Sequence, residues 1–167
     1  MHLDAGTALR VRAEEHDETG KEVRRYRAAG EMVPDHVVIK IVRDELERRS
    51  TPGRGVLSDG FPRNVAQIAA IDEGTVPFVV RAVVWLDVPV AVVLDRLRGR
   101  AESDPRADDT TVTAEHRLEV LERETTEVRT EYANRGLLQV VDGVGHPEEV
   151  YSRLATFMSR TFEQSKR

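Results

Sequence analysis

Three short apolar runs in this chain each stop at an aspartate, and a helix-length stretch separates each from the next. Gly55-Val-Leu-Ser58 runs into Asp59-Gly60, Val79 to Leu86 is followed by Asp87, and Leu137 to Val141 runs into Asp142-Gly143. The middle run, VVRAVVWL, is β-branched and bounded by Pro77 and Pro89, which makes it the strongest strand signal. His2-Leu3-Asp4 has the form of a fourth, shorter strand. Strands that alternate with helices need crossover connections, so the expectation is a mainly parallel sheet with helices on both faces. Ligands of such folds collect at the carboxyl ends of the strands. That rule directs attention to Asp59–Arg63, Asp87 and Asp142-Gly143.

The stretches between read as helices. Gly6 to His16 and Thr19 to Ala29 form two, the second ended by Gly30 as a C-cap. Pro34 opens a longer one whose buried stripe is Val38, Ile41, Val42 and Leu46, with Asp35 and Asp44-Glu45 on its wet side. Val90, Val93, Leu94 and Leu97 mark the helix after the middle strand. A long helix from about Thr113 to Asn134 carries Leu121, Thr125, Val128 and Tyr132, and a last one carries Val150, Leu154, Phe157 and Met158.

The 167 residues suit one domain, and 40% hydrophobic with 33% charged residues is a globular composition. No apolar run approaches the roughly 18 residues that a membrane helix needs, and residues 1–20 are too charged for a signal peptide. With no cysteine, disulfides, thiolate metal sites and cysteine nucleophiles are excluded. The cytoplasm is the expected compartment. The net charge of −5 argues against a nucleic-acid partner. Of 25 basic residues only Lys21, Lys40 and Lys166 are lysine, and the arginine excess is mostly solvated surface. The five histidines have no metal-ligand spacing.

Two constellations stand out. Asp59-Gly60-Phe61-Pro62-Arg63 follows a strand: Gly60 lets a ligand approach the backbone, Pro62 sets the turn, and Arg63 is presented at the strand end. Taken alone this is equally a strand-to-helix turn with a solvated arginine. Arg96 and Arg100 lie four residues apart on one helix face, followed by Arg106-Ala-Asp108-Asp109 in a polar loop and by Arg117. Either nearby acids neutralise these arginines or they await a polyanion.

In order along the chain, these pieces resemble the adenylate kinases and related nucleoside monophosphate kinases. Leu3-Asp-Ala-Gly6-Thr-Ala-Leu-Arg10 resembles that family's STGDLLR, and Ala29-Gly-Glu-Met-Val-Pro34-Asp35 its AGKLVPD. Leu57-Ser-Asp-Gly-Phe-Pro-Arg63 with Gln67 resembles LLDGFPRT..Q, and Asp95-Arg96-Leu-Arg-Gly-Arg100 its DRLxGR. Arg106-Ala-Asp-Asp109 with Arg117 resembles its R.DD…R pattern, and Val141-Asp142-Gly143 its late VDG turn. The resemblance runs from residue 3 to about 155.

It implies a P-loop-kinase-like, three-layer α/β fold and reversible phosphoryl transfer from ATP, with Mg²⁺, to a nucleoside monophosphate. Residues 7–50 would be the monophosphate-binding helical region and residues 100–110 a short lid, too short for a zinc-binding insert. Arg10 and Arg63 would hold the acceptor's phosphate. Ala5, the backbone of Met32, Val33 and Gly60, and Gln67 would hold the rest of the monophosphate. Arg96, Arg100, Arg106 and Arg117, with Gly143, would grip the triphosphate. Arg63, Arg96, Arg106 and Arg117 would also act on the transferring group. Asp108 and Asp109 would organise those arginines, and Asp59 would meet the metal through water. Such transfer needs positioning and charge compensation more than covalent chemistry. The resemblance also implies a monomer whose ligands are small nucleotides.

The sequence departs from the family in one large respect. Its only Gly-Lys, Gly20-Lys21, has no matching upstream glycine and is followed by Glu22, so no P-loop of the form G-x-x-x-x-G-K is present. The family's first, central strand is missing with it, and the expectation is a truncated kinase domain whose natural start lies upstream of Met1. Ala5 stands where the family usually has threonine, and Asn64 after Arg63 also occurs in UMP/CMP kinases. AMP is the expected acceptor, with CMP or UMP as the alternative. A non-catalytic nucleotide-binding module is the competing reading.

Overall fold

The computed structural model of the chain describes residues 1–51, 53–103 and 125–164, with residues 97, 98, 100–103 and 160–164 described by backbone alone. The chain forms two compact units, Met1–Val79 and Val80–Arg167, and each has its own pair of parallel strands.

In the first unit β1 (His2–Asp4) pairs with β2 (Leu57–Asp59), Asp4 standing opposite Asp59. Helices α1 (Ala5–Glu14), α2 (Glu18–Ala28) and α3 (Asp35–Arg49) separate these strands, and α4 (Val65–Asp72) follows β2. An Asx side chain begins three of the four helices. Asp4 accepts from Thr7 N, Asp17 from Gly20 N and Asn64 from Gln67 N, each cap worth about 1 kcal/mol. Helix α2 ends as expected at Gly30, whose φ of 69° lets Glu31 N–H reach the Tyr26 carbonyl and Gly30 N–H that of Arg27.

Ala8, Ala13, Val23, Val37 and Ile41 form one apolar cluster, with Leu9 and Val33 against it. Helices α1 and α2 approach so closely that a Cβ on Gly20 would overlap the Glu15 and Arg12 carbonyl oxygens. Arg24 Nη1 donates to the Glu15 carbonyl at 2.7 Å and so closes the end of α1.

The second unit pairs β3 (Val83–Asp87) with β4 (Leu138–Asp142), Asp87 standing opposite Asp142. Helix α5 (Val90–Ser103) follows β3, α6 covers 125–134 of the described residues, and α7 (Pro147–Gln164) follows β4. Val128 and Tyr132 of α6 are buried, as their spacing predicts, and the Arg129 guanidinium lies over Trp85 at 5.2 Å. No helix among the described residues is long and apolar enough to cross a membrane.

Several expected boundaries move. The run from Val79 to Leu86 becomes a strand only from Val83, because the ladder begins where Val83 N–H meets the Leu137 carbonyl. Residues upstream have no strand partner among the described residues, and Val79 is exposed. The strand expected at Gly55–Ser58 slides to Leu57–Asp59 for the same reason, since it runs only opposite β1. Val90, the first of the apolar residues that mark α5, is exposed at the helix's first residue. Glu45, expected on the wet side of α3, keeps only 14% of its side chain exposed beneath Arg48 and Arg49. Among the described residues both strand pairs are parallel. Leu57, Leu86 and Val140 are exposed, although parallel strands are usually covered on both faces.

Candidate functional site

The carboxyl ends of β1 and β2 carry the residues singled out in the first unit. Directly after β2, Gly60 adopts a φ of 73°, a left-handed conformation that glycine enters without a Cβ penalty. Ser58 Oγ donates to the Phe61 carbonyl at 2.7 Å and draws the turn together. Phe61 is buried, and its peptide bond to Pro62 is cis.

The Arg63 guanidinium then lies back over Gly60. A Cβ built on Gly60 would stand 3.2 Å from Arg63 Nη2 and 3.8 Å from the Ala5 Cβ. Three expected site residues, Ala5, Gly60 and Arg63, therefore meet at the strand ends. Among the described residues no carboxylate pairs with this guanidinium. Other arginines fit the bland reading of their type. Arg12 pairs with Glu15 and Asp17, Arg43 with Asp44 and Glu47, Arg48 and Arg49 with Glu45, and Arg135 with Glu131.

Arg10 is held by a short chain of groups on the first turns of α1. Its Nη2 donates to the Thr7 hydroxyl and stands 3.8 Å from Asp4 Oδ2, while Thr7 Oγ1 donates to that same carboxylate. The Thr7 hydroxyl and Thr7 N–H hold the Asp4 carboxyl below its ordinary 3.8, with Arg10 adding to the effect. Asp4 stays ionised, and Arg10 is oriented with its side chain 42% exposed.

Gln67 sits in a hydrogen-bond network that joins α4 to α3. It is 4% exposed, and its Oε1 accepts from Arg63 N–H at 2.8 Å while its Nε2 donates to Asp35 Oδ1 at 2.6 Å. Asn64 Nδ2 donates to the same Asp35 oxygen at 2.9 Å. Asp35, expected on the wet face of α3, is instead half-buried at the helix start as the acceptor for both amides. The sequence signal was Asn64-x-x-Gln67, an N-cap with an amide three residues on, close in form to a capping box. Its distant partner Asp35 ends the AGKLVPD-like segment, but nothing there points to Asn64 or Gln67. Val33 packs against the apolar cluster and Met32 is exposed, both in the irregular segment before α3.

In the second unit, Arg96 Nη2 of α5 donates to the Gly143 carbonyl at 3.0 Å. Gly143 N–H in turn donates to the Asp87 carbonyl at 2.9 Å. Arg96 and Gly143 are thus brought together at the carboxyl ends of β3 and β4. Arg153 closes the same end by donating to the Asp142 and Val144 carbonyls. Asp59 is exposed at the end of β2. The side chain of Arg100 lies outside the described residues, as do Arg106, Asp108, Asp109 and Arg117 and most of the expected lid.

Comparison with known proteins agrees with the order of these motifs. The family profile described as adenylate kinase matches residues 1–137. Adenylate kinase of Bifidobacterium longum is 37% identical over 158 residues, which cover 93% of this chain and 84% of the relative. That of Kocuria rhizophila is 35% identical over 164 residues, 95% of this chain and 85% of the relative. That of Thermus thermophilus is 36% identical over 154 residues, 91% and 80% respectively. With that profile over residues 1–137 and relatives 35–37% identical over most of both chains, the chain belongs to the adenylate kinase family, enzymes that transfer phosphoryl groups between nucleotides.

Proposed function

We propose that the phosphoryl acceptor is AMP and the donor is ATP carrying Mg²⁺, in a reversible reaction in the cytoplasm by a monomer that does not bind nucleic acid. The observation that carries this reading is the Arg63 guanidinium laid over Gly60, with Ala5 also beside that glycine and no acidic partner for Arg63 among the described residues. A monophosphate seated at the ends of β1 and β2 meets that guanidinium, the Arg10 guanidinium and the start of α1, three features that favour an anion. Ala5, Gly60 and the backbone at Met32 and Val33 bound the nucleoside, and Gln67 faces the base.

Arg96, Arg100, Arg106 and Arg117 belong, in this reading, to the donor's phosphates and to the group in flight, with Gly143 beside the donor nucleoside. Asp108 and Asp109 hold the lid arginines in place. Magnesium comes with the triphosphate. Among the described residues no group of three or more His, Asp or Glu side chains could hold a metal ion, and Asp59 reaches the ion only through water.

A second reading has one observation in its favour. The 167 residues contain no Gly-x-x-x-x-Gly-Lys, the element that cradles donor phosphates. The chain would then bind a monophosphate without transferring to it. Titration calorimetry with AMP, CMP and UMP, beside a coupled assay for ADP formation from ATP and AMP, separates the two. AMP binding with turnover supports the kinase, and binding without turnover supports the module. Arg63→Ala is expected to weaken AMP binding by about tenfold or more, the loss of a charge-assisted hydrogen bond. Unchanged affinity would remove Arg63 from the site.

A further inference from the structure

We propose that Asp35 is a specificity-determining positioning residue, which locks the Gln67 amide in one orientation so that it accepts amino bases and rejects oxo bases. The inference rests on the reading of Gln67 as the side chain facing the acceptor base.

The lock follows from what each neighbour of the amide is able to do. A backbone N–H only donates, so the atom of Gln67 that faces Arg63 N–H at 2.8 Å must be oxygen. An ionised carboxylate only accepts, so the atom that faces Asp35 Oδ1 at 2.6 Å must be nitrogen. Turning the amide over would set N–H against N–H and carbonyl against carboxylate, losing two hydrogen bonds and creating two repulsions. The amide is therefore oriented by two partners, one able only to donate and one able only to accept.

Asn64 tightens the arrangement. Its Nδ2 donates to the same Asp35 oxygen at 2.9 Å, and its Oδ1 accepts from Gln67 N–H at 3.0 Å as the cap of α4. Asp35 on α3 and Asn64 at the start of α4 therefore hold one side chain from two elements. With Gln67 only 4% exposed, little room is left for it to swing out and turn.

The chemical consequence lies in the two valences that remain. Gln67 keeps one N–H and one lone pair, in a fixed order. The pairing edge of adenine presents an amino donor beside a ring acceptor, and that of hypoxanthine presents an oxo acceptor beside a ring donor. A freely turning amide matches either edge. A locked amide matches one of them and leaves unpaired polar atoms against the other, and that mismatch is the usual source of strong discrimination.

The test uses the whole chain and three probes: AMP, IMP and ribose 5-phosphate, titrated calorimetrically. The native chain is expected to bind AMP at least tenfold tighter than IMP. In Asp35→Asn the neutral side chain offers either a donor or an acceptor, so only Arg63 N–H still opposes turning of the amide, and the AMP:IMP ratio is expected to fall several-fold. Ribose 5-phosphate affinity should stay put, which a general loosening of the Arg63 turn would not allow. Asp35→Glu, which keeps the carboxylate, should recover most of the ratio.

An unchanged ratio in Asp35→Asn, or equal losses for all three probes, overturns the proposal while leaving the AMP reading intact. No AMP binding by the native chain overturns both. Should Asp35→Asn not fold, the native chain alone decides through the side-chain amide protons of Gln67 in NMR. One bonded, slowly exchanging proton is expected, and an averaged, freely exchanging pair overturns the lock.

Discussion

The turn at Gly60 controls where Arg63 goes, and one methyl group tests it. A Cβ on Gly60 would sit 3.2 Å from Arg63 Nη2, and the φ of 73° is one that an L-residue enters at a cost of roughly 1–2 kcal/mol. Gly60→Ala is therefore expected to lower stability by about 1 kcal/mol. By moving the guanidinium, it should also weaken AMP binding several-fold. Denaturant melts and calorimetric titration of the same sample check both, and a variant that loses stability with unchanged AMP affinity would detach the turn from binding. The turn at Gly60 was legible in the sequence because a strand end, a glycine and an arginine lie within five residues, while a binding role for Arg63 came only with the family resemblance. Asp35 was not, because the residues it holds, Asn64 and Gln67, lie 29 and 32 positions away. Nothing local distinguishes a carboxylate in a first helical turn that serves the helix from one that serves a neighbour.

Helix starts and stops were the most readable elements, since capping is local chemistry: Pro34 before α3 and Gly30 after α2 announce themselves. Strand limits were less readable because a strand extends only as far as its partner, which is why Val79 to Ala82 reads as strand and joins no ladder. Helix α4 went unassigned, although Asn64 caps it and Ile68, Ala70 and Ile71 bury its inner face. It has eight residues, too few for a convincing period. Between α1 and α2 the controlling contact is Gly20, whose missing side chain lets the two backbones approach. Gly20→Ala gains about 1 kcal/mol of helix propensity but forces the helices apart, and overpacking of this kind costs about 1–3 kcal/mol. The Cβ would meet backbone oxygens that have no rotamer to move away, so the clash sits at the upper end of that range and a net loss of up to about 2 kcal/mol is expected. An equal or higher melting temperature for the variant would show that α2 shifts without resistance.

Across the molecule, ion pairs hold the first unit in a way that acid should undo. Asp4 is depressed by the Thr7 hydroxyl and N–H, and Asp17 by Arg12 and then by Gly20 N–H. Partial burial raises Asp44, but hydrogen bonds from Lys40 and Arg43 outweigh it, and its carboxyl also ends below 3.8. In each case the folded chain holds its proton less tightly than the unfolded chain, whose carboxyls titrate near 3.8. Their contribution is thus complete above about pH 5 and is lost as pH falls through 3.8 toward the lower folded values. The urea midpoint should be level from pH 7 to about 5 as far as these groups decide it, then drop. Asp17→Asn keeps an oxygen to cap α2 but cannot ionise. It should lower the midpoint at pH 7 by losing its attraction to Arg12, and then lose less than the parent chain between pH 5 and 3. Parallel curves for the two proteins would mean that the Asp17–Arg12 pair contributes nothing to acid sensitivity, and that the drop arises from carboxylates elsewhere in the chain.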